Sequence, residues 1–153
     1  MILFESVTTS LLEVPNRVSL IFNLSKCPLR CKGCHSPELR QAIGEPLTVE
    51  VFQKYLQKYD GLVNCICFMG GDLRGDEDHF VQLLEVCQEK NIEVCIYTGL
   101  TEVFVPAKIK SLVRFLKVGP YSASRGGLES VETNQIFLDL YTGKKLNHLF
   151  RRA

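Results

Sequence analysis

The sequence lacks a dominant charge of either sign. Its 18 lysines and arginines are nearly balanced by 17 aspartates and glutamates, and the formal net charge is +1. Such a balance gives no general electrostatic attraction to nucleic acid or to an anionic membrane surface, because both require an excess of basic groups. We therefore predict that neither is a partner, and that any ligand is recognised through a local site.

Long apolar runs are also missing. No segment approaches the roughly 18 consecutive apolar residues that a membrane-spanning helix needs. The start, MILFESVTTSLLEV, carries Glu5 and Glu13 where a secretory signal would have a basic region and then a longer apolar run. We therefore expect a cytoplasmic protein. In a reducing compartment, its seven cysteines favour a metal site over a disulfide framework.

The sequence has no internal repeat, low-complexity tract or linker, so residues 1–153 are predicted to form a single domain. Runs rich in strand-forming residues predict four buried strands, at 18–24, 65–69, 92–97 and 115–118, with a candidate fifth at 135–140. Apolar residues at helical spacing predict helices at 48–59, with Thr48 as N-cap, at 77–90 and, more weakly, at 106–113.

Strands that alternate with helices imply right-handed crossovers and a mainly parallel sheet. We therefore predict an α/β fold in which a mainly parallel sheet alternates with helices. About four or five strands are too few for a closed eight-stranded barrel. An open or partial (β/α) barrel is the architecture that this pattern favours.

Three cysteines follow the first predicted strand, in the stretch CPLRCKGCH. Cys27, Cys31 and Cys34 have the spacing C-x3-C-x2-C. Thiolates are soft ligands that suit iron–sulfur clusters, and a loop with this spacing can hold three corners of a four-iron cluster. The fourth iron would then lack a protein thiolate and would be open to a substrate, as in an open catalytic metal site.

Other interpretations compete for the same stretch. Cys31-Lys-Gly-Cys34-His35 fits the C-x-x-C-H pattern of covalent haem attachment, which is disfavoured because such attachment is normally found in exported chains. Zinc could take His35 as its fourth ligand, but His35 directly follows Cys34, and adjacent residues rarely point at one ion. The three cysteines could also simply pack in a loop. The iron–sulfur interpretation is preferred.

Glycine and polar residues follow the other strands. Gly70-Gly71-Asp72 comes after the second predicted strand, and Thr98 follows the third. Ligands of parallel α/β sheets sit at the carboxyl ends of the strands, where these residues would meet the cysteine loop. Two adjacent glycines permit close backbone approach to a ligand, a carboxylate can bind a cationic group, and a threonine can form a hydrogen bond. Another turn, Gly119-Pro120, follows the fourth strand at the same edge.

Several other residues are predicted to pack in the core. They are the cysteines at apolar positions of strands and helices and the tyrosine that precedes Thr98: Cys65, Cys67, Cys87, Cys95 and Tyr97.

The order of these motifs resembles the radical S-adenosylmethionine superfamily, with C-x3-C-x2-C after a first strand, GGD after a second and YTG after a third. Within it, RCKGCHSPEL, FMGGD, IYTG and VGPY, followed by Thr133-Asn134-Gln135, resemble the activating proteins of anaerobic (class III) ribonucleoside-triphosphate reductases. The similarity runs over about residues 15–140. It implies an open or partial barrel of the radical S-adenosylmethionine type.

The resemblance also implies an activity. A [4Fe–4S] cluster would be bound by Cys27, Cys31 and Cys34, with S-adenosylmethionine chelating the open iron. An electron from the reduced cluster would cleave S-adenosylmethionine to methionine and a 5′-deoxyadenosyl radical, and that radical would take a hydrogen atom from a glycine of the reductase. The chain would then be an oxidoreductase whose partners are the glycyl radical subunit of the reductase and an electron donor such as flavodoxin or ferredoxin.

The remaining site residues are also assigned by the resemblance. Contacts to S-adenosylmethionine are implied for Gly70, Gly71, Asp72 and Thr98, and His35 would stack near the adenine where the family usually has an aromatic residue. The chemistry of Asn134 and Gln135 assigns them no role. Two alternative functions stay open: another small radical S-adenosylmethionine enzyme with a different target, and a zinc-binding module without catalysis.

Overall fold

The computed structural model describes residues 2–25, 44–70 and 75–151. The strands in this part of the chain are β1 Leu3–Ser10, β2 Ser19–Leu24, β3 Glu45–Pro46, β4 Cys65–Gly70, β5 Glu93–Tyr97, β6 Phe115–Val118, β7 Ile136–Asp139 and β8 Lys144–Lys145. The α-helices are α1 Val49–Lys58, α2 Glu77–Glu89 and α3 Ala107–Lys110, and 3₁₀ helices span Glu102–Phe104 and Asn147–Phe150. The predicted α/β class is confirmed.

The described strands form one mixed sheet in the order β3-β1-β2-β4-β5-β6-β7-β8. The four strands β2, β4, β5 and β6 are parallel, while both flanks pair antiparallel. The prediction of a mainly parallel sheet is therefore wrong for the flanks, because β1 and β7 join their neighbours without a crossover helix. Within the described residues β3 and β8 lie at opposite ends of the order, as in an open sheet. A partial barrel of the radical S-adenosylmethionine type stays a prediction.

Helix α1 shows how local sequence signals produce the predicted element. The Thr48 hydroxyl accepts a hydrogen bond of 3.1 Å from the backbone N–H of Val51, which satisfies one free donor of the first turn. Phe52 and Leu56, four positions apart, are buried against the sheet. Glu50 in the first turn and Lys58 in the last turn both complement the helix dipole.

Alternate strand residues supply two different cores. On the helix side, four phenylalanines pack ring against ring, with centroids 5.2 Å apart for Phe22 and Phe52 and 5.3 Å for Phe68 and Phe80. The opposite side, here called the interior face, is filled by strand residues and by residues from the connecting segments: Val14, Ile21, Cys65, Cys67, Cys95, Phe115, Leu128 and Phe137. Because side chains alternate along a strand, neighbouring residues face different cores.

An ion-pair network joins the strands at the end of the sheet remote from the predicted site. Glu93 pairs with both Arg17 and Arg114, and Arg114 also binds Asp139 at 3.1 Å. Burial alone would raise the pKa of Glu93, but hydrogen bonds from the two guanidinium groups lower it below its usual value. Both guanidinium groups also lie over the ring of Phe115, at 5.3 and 5.1 Å. The network thereby joins β5 and β7 to the residues that lead into β2 and β6.

No helix in residues 2–25, 44–70 or 75–151 combines the length and the apolar character that crossing a bilayer requires.

Candidate functional site

The carboxyl ends of the four parallel strands form one edge of the sheet. The register pairs Leu24 with Gly70, and it pairs Tyr97 with both Met69 and Lys117. Each segment that carries predicted site residues begins at one of these strand ends. The structure therefore confirms that the strands leading into these segments end side by side, as the sequence predicts.

Most of the predicted site residues lie outside the described residues: Cys27, Cys31, Cys34, His35, Gly71 and Asp72. Their roles therefore stay predictions. The structure does describe the two ends of the chain segment that contains the cysteines. Ser25, at its start, donates a backbone hydrogen bond of 3.0 Å to Leu3.

The other end of the cysteine segment is Gly44, which also lies against β1. Its φ of +95° is left-handed, and a Cβ at this position would lie only 2.0 Å from the carbonyl oxygen of Phe4. A side chain is excluded there by contact as well as by backbone conformation. Leu47, a little further on, donates a backbone hydrogen bond of 2.8 Å to Ile2. Both ends of the segment are thus fixed to the same strand.

Gly70 and Thr98 are the predicted site residues that the structure describes. Gly70 ends β4 with a φ of +83°, a conformation in which glycine is favoured. Thr98 is 8% exposed, and its hydroxyl accepts a hydrogen bond of 3.1 Å from the backbone N–H of Leu100. A hydroxyl that accepts one hydrogen bond still has its proton to donate. The predicted contact of Thr98 with a cofactor is therefore chemically compatible with its local role.

On the interior face, one row of side chains runs along the carboxyl edge. Register places Asn23, Met69, Tyr97, Lys117 and Phe137 next to one another across five strands. The Tyr97 ring packs edge to face on Phe137, with centroids 6.0 Å apart. The prediction that Tyr97 packs is confirmed.

The hydroxyl of Tyr97 also has a structural partner. It donates a hydrogen bond to the carbonyl oxygen of Glu13, which joins β5 to the β1–β2 connection. Burial, with smaller contributions from neighbouring acidic groups, raises the pKa of Tyr97 well above its usual range. The phenol therefore stays neutral at any physiological pH.

Lys117 is a candidate site residue that sequence reasoning missed. It is 8% exposed, and its Nζ lies 3.3 Å from the carbonyl oxygen of Gly119 and 5.7 Å from the centre of the Tyr97 ring. A buried ammonium group needs hydrogen-bond acceptors or negative charges around it. Its position at the site edge therefore makes Lys117 a candidate ligand-binding residue. The available signal was a single lysine inside the apolar strand Phe115-Leu-Lys-Val118.

The segments Gly119-Pro120 and Thr133-Asn134-Gln135, separate in sequence, pack together beside Lys117. Asn134 donates a side-chain hydrogen bond of 2.9 Å to the carbonyl oxygen of Pro120. Gly119 has a φ of +98°, and a Cβ there would lie 2.9 Å from the carbonyl oxygen of Asn134. The structure thus gives Asn134 a contact that its side-chain chemistry alone could not identify.

The cysteines outside the CPLRCKGCH stretch belong to the core, as predicted. All four, Cys65, Cys67, Cys87 and Cys95, are free and fully buried. Burial raises the pKa of Cys87 to about 12 and raises those of Cys65 and Cys95 well above the usual range. These three thiols therefore stay protonated at physiological pH. Within the described residues, no group of three or more His, Cys, Asp or Glu side chains is arranged to hold a metal ion.

We expect Cys65→Ser to reduce stability without reducing iron content. The serine hydroxyl would replace a thiol that packs with Ile21 and Cys67, and burying it lowers the free energy of unfolding by about 1–2 kcal/mol. Denaturant unfolding and iron and sulfide analysis of anaerobically purified protein would measure both effects. Loss of iron in a folded Cys65→Ser protein would contradict the ligand assignment.

Two comparisons with known proteins bear on this site. A protein-family model described as a 4Fe-4S single cluster domain matches residues 16–125, which include the three clustered cysteines and the four parallel strands. The chain is also 29% identical over 94 residues to a pyruvate formate-lyase-activating enzyme of Clostridium pasteurianum. That alignment covers 58% of this chain and 39% of the relative, so it spans about two fifths of the relative's length.

Proposed function

Because the chain belongs to the family of 4Fe-4S single cluster domains, we propose that it is a radical S-adenosylmethionine activase that installs a glycyl radical on a partner protein. One observation supports the proposal above all. The strands that lead into the cysteine segment, the Gly70-Gly71-Asp72 turn and Thr98 end side by side at one edge of the sheet. A cluster, its ligand and a partner could therefore meet there.

The cysteine segment has the donor chemistry that a [4Fe–4S] cluster requires. Cys27, Cys31 and Cys34 would supply three soft thiolates, and the family match favours this cluster over zinc or haem. When bound, the cluster would supply the electron that cleaves S-adenosylmethionine to methionine and a 5′-deoxyadenosyl radical. We propose flavodoxin or ferredoxin as the source of that electron.

The edge residues would bind and orient S-adenosylmethionine. Lys117 carries a buried positive charge at this edge of the interior face, and its ammonium group would pair with the carboxylate of the methionine moiety. The Thr98 hydroxyl would donate a hydrogen bond, and Gly70 would let the ligand approach the backbone closely. Asp72 would face the cationic end of the ligand, and His35 its adenine.

The packed interior face determines where the ligand can bind. Val14, Phe115 and Leu128 fill that face beside the row of edge residues, so the ligand would bind at the edge and not deeper against the sheet. A carbon radical must form within van der Waals reach of its target and away from water. We propose that the partner protein covers the edge during the reaction.

The target that we propose is the glycyl radical subunit of an anaerobic (class III) ribonucleoside-triphosphate reductase. Support comes from the two segments that distinguish this resemblance within the superfamily, Gly119-Pro120-Tyr121 and Thr133-Asn134-Gln135, which pack together through the Asn134–Pro120 hydrogen bond. The similarity to a pyruvate formate-lyase-activating enzyme favours a second candidate, in which the target is another glycyl radical enzyme such as a pyruvate formate-lyase.

Electron paramagnetic resonance of the anaerobically reconstituted and reduced protein tests the proposal. We expect a [4Fe–4S]⁺ signal whose shape changes when S-adenosylmethionine is added, because the ligand would chelate the open iron. A cluster signal that is indifferent to S-adenosylmethionine would contradict activase function. One equivalent of zinc with no iron or sulfide would instead support the non-catalytic module.

The same preparation identifies the target. The reduced protein and S-adenosylmethionine are mixed in turn with a class III reductase and with a pyruvate formate-lyase, and the organic radical on each partner is quantified. A glycyl radical on the reductase alone is the expected result. A radical on the lyase alone would overturn the choice of target and leave the activase chemistry intact.

A further inference from the structure

The Gly119–Pro120 turn is held from both of its sides. Before the turn, the backbone N–H of Gly119 donates a hydrogen bond of 2.8 Å to Leu100. After it, the carbonyl oxygen of Pro120 accepts the side-chain amide of Asn134 at 2.9 Å. Gly119 itself is buried and left-handed, in contact with the backbone of Asn134 and Gln135. The peptide between Gly119 and Pro120 is therefore fixed in orientation.

That fixed peptide carries one acceptor of the buried lysine. The carbonyl oxygen of Gly119 lies 3.3 Å from Nζ of Lys117, two residues earlier on β6. A lysine side chain has a flexible four-carbon stem, so its ammonium group stays in one place only where acceptors are fixed around it. A change in the direction of the Gly119 carbonyl would remove one of the contacts that hold the ammonium group.

We propose that Asn134 is a positioning residue. Its amide holds the Gly119–Pro120 turn, and through the Gly119 carbonyl it fixes the Lys117 ammonium group at the carboxyl edge of the sheet. The part of this inference that concerns S-adenosylmethionine rests on the proposed function, in which Lys117 meets the carboxylate of that ligand. The link from Asn134 to Lys117 rests only on the contacts of the described residues.

The neighbours of Asn134 are held in place by hydrogen bonds of their own. The Thr133 hydroxyl donates to the carbonyl oxygen of Gly126 at 2.9 Å and accepts from the backbone N–H of Gln135 at 3.0 Å. Buried Asn147 donates its amide to the carbonyl oxygen of Gln135, also at 2.9 Å. These bonds fix the backbone on both sides of Asn134. Asn134 then binds the carbonyl oxygen of Pro120 directly through its side chain.

The test compares Asn134→Ala with Asn64→Ala. Asn64 is a matched control because it also joins a loop to backbone by one side-chain bond, 3.0 Å from the N–H of Val18, at the opposite edge of the sheet. Anaerobically purified protein with its cluster is treated briefly with an acetylating reagent, and acetylation of Lys117 is quantified by mass spectrometry. The dissociation constant of S-adenosylmethionine and the melting temperature are measured on the same preparations.

Asn134→Ala is expected to increase acetylation of Lys117 several-fold and to weaken S-adenosylmethionine binding about tenfold, the loss expected when a charged contact is misplaced. Asn64→Ala should change neither value, whatever its effect on melting. Wild-type acetylation and affinity in Asn134→Ala, with only a lower melting temperature, would overturn the proposal. If wild-type protein does not bind S-adenosylmethionine, the proposed function fails, while Lys117 acetylation still decides whether Asn134 positions the lysine.

Discussion

Replacing Cys27, Cys31 or Cys34 by alanine is expected to reduce 5′-deoxyadenosine formation below detection. Each variant would remove one of the three thiolates that we propose as cluster ligands, and a site with two thiolates should not retain a [4Fe–4S] cluster. The fold should persist, because the described strands and helices pack through other residues. Chromatography of the reaction products after chemical reduction, with iron and sulfide analysis, measures the effect.

Cys87→Ala is the matched control for these variants. Cys87 is fully buried on α2 within the helix-side core, and burial raises its pKa to about 12, so its thiol stays protonated. Removing the sulfur should lower the free energy of unfolding by about 1 kcal/mol and leave iron content and turnover unchanged. Full turnover in any one of the three variants at Cys27, Cys31 or Cys34 would refute the cluster assignment.

The elements that the sequence predicts well are those whose signals are local. The apolar residues at helical spacing and the Thr48 cap predict a helix at 48–59, and the structure has helix α1 at Val49–Lys58. Strand β6 matches its prediction because an apolar run is bounded by an arginine and a glycine. Helix α3 is shorter than the predicted 106–113. The residues that follow α3 form a tighter turn, in which the backbone N–H of Leu112 donates a hydrogen bond of 3.0 Å to the carbonyl oxygen of Ile109.

The candidate strand at 135–140 is confirmed as β7, Ile136–Asp139. The other flanking strands, β1, β3 and β8, could not be predicted because tertiary pairing makes them. Buried and exposed side chains alternate only weakly along β1, and Phe4 is its one buried side chain. Its sequence therefore resembles that of a surface segment, and pairing with β2 and β3 makes it a strand. β3 and β8 are two residues long, too short to show a period. The parallel centre has continuous apolar runs, which is why its sequence signal is stronger.

The site shows the same division between local and tertiary signals. The cysteine spacing and the Gly70-Gly71-Asp72 turn are local patterns, so sequence can nominate them. The importance of Lys117 depends on the face of β6 that it occupies, and that of Asn134 depends on its contact with Pro120, fourteen residues away. Neither fact is a property of a short stretch of sequence, and both residues emerge only once the strands are paired.

Lys117→Met should weaken S-adenosylmethionine binding by about one to two orders of magnitude while the cluster still assembles. Methionine has nearly the same length but no charge, so the carboxylate of the ligand would lose its charge-assisted partner. Denaturant unfolding checks that the variant stays folded, because removing the ammonium group also leaves the carbonyl oxygen of Gly119 without that donor. Equilibrium binding on anaerobic protein measures the affinity.

Lys54→Met separates this effect from a general loss of positive charge. Lys54 is exposed on α1, so its replacement changes the net charge equally and should leave S-adenosylmethionine affinity unchanged. Equal weakening in both variants would show that overall charge matters and the position of Lys117 does not. Unchanged affinity in a folded Lys117→Met protein would remove this lysine from the binding site. The ligand carboxylate would then need another partner. In that case the contacts that hold the Gly119–Pro120 turn in place would serve packing alone.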